Sequence, residues 1–140
     1  MKLSRIVSSV LVGALAAGCT TMAPKTPTYT ATLAAEPGIT SSGKGIGTFT
    51  LDPATKMLTY NVQYEGLTGP AMAAHIHGPA DPGASAGVAI PFASAASPIT
   101  GTATLTDAQI ADLQAGKYYV NIHTAANRGG EIRGHITLKP

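Results

Sequence analysis

Met57-Leu58-Thr59-Tyr60-Asn61-Val62-Gln63-Tyr64-Glu65 alternates without a break. Leu58, Tyr60, Val62 and Tyr64 fall on one side, and Thr59, Asn61, Gln63 and Glu65 on the other, the period-2 signature of a strand with one buried face. Just upstream, Leu51-Asp52-Pro53-Ala54-Thr55 reads as a turn, with Pro53 preset for its corner. Residues 43–51 are therefore predicted to pair with 57–65 as a hairpin, Gly45 and Gly47 being its weak points. Further upstream, Tyr29, Ala31 and Leu33 alternate with Thr28, Thr30 and Thr32, which predicts another half-buried strand.

Downstream the same reading continues in short pieces. Residues 71–77 form a strand closed by the turn cluster Gly78-Pro79-Ala80-Asp81-Pro82-Gly83. Strands at 88–92 and 99–105 follow. One short helix fits 106–115, with Thr106 as cap, Gln109 completing a capping box, Ile110 and Leu113 on one face and Gly116 as the stop. The last two strands, 117–124 and 131–138, flank Ala125-Ala126-Asn127-Arg128-Gly129-Gly130. Many short strands at this spacing predict an all-β sandwich.

Bulk properties agree. Charged residues make up 11% of the 140, beside 16 Gly and 10 Pro, which favours strands and turns over long solvated helices. One domain of roughly 110 residues is the natural unit. The formal charge of +2 comes from nine basic and seven acidic side chains; without Lys2 and Arg5 the balance is seven against seven. No Lys/Arg run remains, so the electrostatic footprint of nucleic-acid binding is missing.

Lys2 and Arg5 precede an apolar run from Ile6 to Ala17, which ends at Ala16-Ala17-Gly18-Cys19. That is the layout of a signal peptide over residues 1–18, too short to span a bilayer comfortably. The segment resembles a bacterial lipobox, with Ala16 standing where Leu is preferred. The resemblance implies cleavage before Cys19, diacylation of its thiol with palmitate-type chains, and membrane attachment through that anchor. Residues 19–27, rich in Thr and Pro, then form a flexible tether to a domain at 28–140. Thr20 in place of an inner-membrane-retaining Asp points to the outer membrane, facing the periplasm or the surface. Cys19 is the only cysteine, so no intramolecular disulfide is available.

All four histidines sit in strands. His75 and His77 are two apart, so both rings project from one face, opposite Ala74 and Ile76. The same parity groups Tyr119, Asn121 and His123 against Tyr118, Val120 and Ile122, and Glu131, Arg133 and His135 against Ile132, Gly134 and Ile136. Each histidine therefore falls on a non-core face. Imidazole nitrogens suit copper and zinc, and three of them with an open position is a common labile or catalytic arrangement. His75, His77 and His123 are the candidate ligands, with His135 as a fourth, provided the sandwich brings their strands together. The competing reading makes the rings hydrogen-bonded stitches between strands and loops. Glu131 and Arg133, at i and i+2, read as an ion pair on the last strand; alternatively Arg133 guides an anion toward a metal.

Two stretches, Ala74-His75-Ile76-His77-Gly78-Pro79-Ala80 and Gly116-Lys117-Tyr118-Tyr119-Val120-Asn121-Ile122-His123-Thr124 running on to Ile136, resemble the CHRD domain, a module first described as a repeat in chordin. The resemblance covers residues 29–138 and implies a Greek-key sandwich, immunoglobulin-like or superoxide-dismutase-like. It brings little established chemistry. The His-x-His and Gly-Gly-Glu-Ile-Arg-Gly pieces are also faintly similar to Cu,Zn superoxide dismutase. No Gly-x-Ser-x-Gly or phosphate loop is present, so an enzyme here would have to be a metalloenzyme. The expected function is transition-metal binding, copper first and zinc second, on an exported lipoprotein. The alternatives are a metal-free structural module meeting an envelope protein or glycan, and a superoxide-dismutase-like enzyme.

Overall fold

The computed structural model describes residues 25–140. The predicted signal peptide, Cys19 and most of the predicted tether lie outside the described residues. The strands are β1 (Thr28–Ala35), β2 (Lys44–Asp52), β3 (Met57–Glu65), β4 (Ala71–His77), β5 (Val88–Pro91), β6 (Ile99–Thr104), β7 (Tyr119–Thr124), β8 (Ile132–His135) and β9 (Thr137–Leu138). One helix, α1 (Asp107–Gln114), separates β6 from β7. Its cap is Thr106, with both halves of the predicted capping box formed. The predicted strand at 131–138 is divided at Ile136, whose N–H donates to the Tyr118 carbonyl; β8 pairs with the end of β1 and β9 with its start.

All pairings are antiparallel, in the order β5-β4-β7-β8-β1-β2-β3-β6, with β9 also on β1. β1 is the shared strand. Its first residues pair with β2, and Ala34 and Ala35 pair with Arg133 and Ile132 of β8. The sheet thus folds over on itself into a nearly closed, all-β sandwich.

Alternation explains the core. Tyr29, Ala31, Leu33, Phe49, Leu51, Leu58, Tyr60 and Val62 point inward from one half, and Ala74, Ile76, Val120, Ile122 and Ile132 from the other. Their outward partners on β1, β2, β3 and β6 are mostly threonines, whose branched side chains suit a pleated surface. The glycines in β2 and β6 have a packing reason: a Cβ on Gly47 would sit 2.7 Å from the Phe49 ring, and one on Gly101 would overlap Tyr60. Large aromatics fill the space those glycines leave.

The decisive contact for the site is between β4 and β7. Their register sets Ala73 opposite His123, His75 opposite Asn121 and His77 opposite Tyr119. β8 continues the rows, with Arg133 beside Asn121 and His135 beside Tyr119. Outward-facing side chains of three strands therefore share one surface.

Candidate metal centre

That surface is only partly open to solvent. Residues 78–87, the connection from β4 to β5, lie across it as a strap. Lys117 pairs with Asp81 at one end. Further along, Arg133 Nη2 donates to the Ala84 carbonyl at 2.9 Å, and the Ala86 N–H donates to the Tyr119 hydroxyl at 3.1 Å. Gly78 starts the strap at φ 147°, where a side chain would overlap Tyr118. Under this cover His77 is only 8% exposed, and Tyr119 and Asn121 are buried as well. The His77, Tyr119 and Asn121 part of the non-core face is thus a covered polar layer, where the sequence pattern suggested a surface, while His75 and His123 at its edge stay half-buried.

Each ring nitrogen in this layer has a definable role. His77 Nδ1 lies 3.0 Å from the Ala86 carbonyl, and His123 Nδ1 lies 3.0 Å from the Arg128 carbonyl. A carbonyl only accepts, so both Nδ1 atoms carry the proton and both Nε2 atoms present a lone pair. His123 Nε2 meets His75 Nδ1 at 3.2 Å. His77 Nε2 is buried with no partner, one of two such side-chain atoms among the described residues. A buried polar atom left unpaired is costly, so the orphan nitrogen calls for a ligand.

His75, His77 and His123 each offer one nitrogen, all within 4.8 Å of one another. Two nitrogens bound to one tetrahedral zinc at 2.0–2.1 Å stand about 3.3 Å apart, so the 3.2 Å pair is already at ligating separation. Carbonyls gripping the far nitrogens of two rings are the outer-shell partners that fix ligand tautomer and direction. Burial holds the His75 pKa below 6.5, helped by the neighbouring His123 and His77. His123 is also lowered, by burial first; the Arg128 carbonyl and Glu36 pull the other way and His77 adds to the lowering. Both shifts favour the neutral ring, the form in which an imidazole can ligate.

His135 does not join them. Its Nε2 lies 3.3 Å from the Ala80 carbonyl, where it ties down the strap on the far side of Tyr119. Arg133 does not pair with Glu131. Its guanidinium stacks 3.7 Å over the Tyr119 ring and faces Glu36 at 3.5 Å, both side chains being largely buried. Tyr119 in turn stacks on His77, with ring centroids 5.2 Å apart. Glu36 also accepts from Asn121 Nδ2 at 2.9 Å.

Glu131 is a separate construction that the sequence pattern missed. Fully buried, its carboxylate accepts from the Ser41, Thr68 and Thr124 hydroxyls, the Thr68 N–H and Asn127 Nδ2. It ties three loops together, one of which carries the Arg128 carbonyl that holds His123. No local signal marked this partner set, whose hydroxyls come from three separate places in the chain, Ser41, Thr68 and Thr124.

A comparison with protein families matches the CHRD domain over residues 29–136. The chain belongs to the CHRD domain family. Both histidine strands lie inside the matched region, so the cluster is part of the CHRD domain itself. No curated protein and no solved structure matches the chain.

Proposed function

We propose that this CHRD protein is exported, lipid-anchored at Cys19 in the cell envelope, and holds a transition-metal ion at His75, His77 and His123. The observation that carries the metal reading is the buried, unpartnered His77 Nε2 beside two further imidazole nitrogens. The two sequence-level readings of the histidines then become one, since each of His77 and His123 stitches a loop with one nitrogen and offers the other to the ion. An all-nitrogen set without thiolate favours Cu(II) over Zn(II) by the general affinity order. Among the described residues no fourth His, Cys, Asp or Glu joins the group. A fourth position is thus left to water or an incoming ligand, which suits binding, buffering or delivery.

Calorimetric titration of tag-free protein with Cu(II), followed by electron paramagnetic resonance, tests this. The expected result is one equivalent in a nitrogen-rich environment, lost in His77→Ala and in His123→Ala. Weak binding that neither substitution alters would sink the metal site. Protons compete with the ion, and since burial lowers the pKa of His75 and of His123, affinity should weaken on acidification at a lower pH than for freely exposed imidazoles.

The export reading rests on Lys2, Arg5, the apolar run and Ala16-Ala17-Gly18-Cys19. Mass spectrometry of the membrane fraction should find an acylated N-terminal Cys19 peptide, and Cys19→Ser should accumulate precursor. Soluble protein with a free Cys19 thiol would refute it.

A further inference from the structure

The three imidazoles are not equivalent. His77 and His123 are gripped at Nδ1 by the backbone carbonyls of Ala86 and Arg128, so each presents Nε2 in a fixed direction. His75 has no such grip among the described residues; its one ring hydrogen bond is to His123. Since His123 keeps its proton on Nδ1, its Nε2 can only accept, and the proton between the two rings belongs to His75 Nδ1. The 3.2 Å separation fits a shared proton and a shared ion equally well.

Resting on the metal reading above, we propose that His75 is the closing ligand of the site, and that an entering ion takes the place of the proton between His75 Nδ1 and His123 Nε2. His77 and His123 form a rigid two-nitrogen seat. The ion first meets the seat and then draws in His75, giving a mixed donor set of one Nδ1 and two Nε2 atoms. The balance is simple: the His75 Nδ1–H bond breaks, the nitrogen lone pair goes to the metal, and a proton is taken up at Nε2 of the same ring through solvent. His75 is half-buried, so that nitrogen can exchange with water. No net proton leaves the neutral protein. The ligand class is a borderline divalent ion, and its exchange is controlled at His75 alone.

Histidine tautomers read this directly. Tag-free protein labelled with ¹⁵N-histidine is examined at pH 7.5 by long-range ¹H–¹⁵N correlation, before and after one equivalent of diamagnetic Zn(II), with uptake checked by calorimetry. The expected spectra show His77 and His123 protonated at Nδ1 in both states, while His75 moves from Nδ1–H to Nε2–H on loading. In His123→Ala the His75 ring should lose its fixed Nδ1–H before any zinc is added. Zinc uptake with His75 still protonated at Nδ1, or with its signals unmoved, would overturn the closing-ligand assignment while leaving a metal site. Failure to take up zinc or copper at all would remove the metal reading, and the proposed exchange with it.

Discussion

Among the described residues no cation pairs with Glu131, yet its carboxyl is held at about 2. Burial alone would push it up; the hydroxyls of Ser41, Thr68 and Thr124 and the Thr68 N–H overcome that cost by solvating the anion better than water does in the unfolded chain. Since the folded value lies below the ordinary 4.5, the stabilisation is fully present above that pH and is lost as pH falls toward about 2. Glu131→Gln replaces one accepting oxygen with a donor and strands buried hydroxyls. It should lower stability at pH 7 by roughly 2–4 kcal/mol and flatten the acid limb of stability against pH, as read by urea unfolding between pH 2 and 7. An unchanged acid limb would show that other carboxyls control it. Parity placed Glu131 and Arg133 on one side of the strand, but each also meets residues distant in sequence: Ser41 and Thr68 for one, Glu36 for the other.

At the scale of elements, the strap formed by residues 78–87 covers part of an outer sheet face and buries His77, Tyr119 and Asn121. It is short of apolar side chains and is held by donors from below, Arg133 to Ala84 and His77 to Ala86. Arg133 also clamps the Tyr119 ring against His77. Arg133→Met keeps the length and some stacking but removes the donor and the charge facing Glu36. Copper affinity should fall roughly tenfold with the three histidines intact, the usual penalty for loosening outer-shell support. Calorimetry decides it, and unchanged affinity would mean that the strap holds His77 without Arg133. The turn cluster after His77 was legible as a loop; where the loop lies was not, because its backbone bonds go to side chains from β4, β7 and β8.

For the whole molecule, Ile122 sits at the centre of the enclosed core with no exposed surface, so Ile122→Asp would bury a charge without a partner and should abolish the cooperative β-sheet unfolding transition. Retained cooperative melting would contradict the sandwich. An ion bound only by the folded state stabilises it by about 2.7 kcal/mol at a concentration a hundred times Kd. Saturating Cu(II) should therefore raise Tm by several degrees in the parent protein and by none in His77→Ala.

Alternation along Met57–Glu65 and its neighbours determined by itself that the chain is β, which residues are core and that His75 and His77 share a face. Thr106 and Gln109 likewise marked the helix start. These are local properties: a strand has period 2 and a helix end has four unpaired N–H groups, whatever the rest of the chain does. Tertiary structure alone decided that β4 lies beside β7, that His123 comes within reach while His135 does not, and that a strap covers His77. The reason is that strand order follows from closing one apolar surface over another, a condition on the whole chain that no single strand's pattern contains.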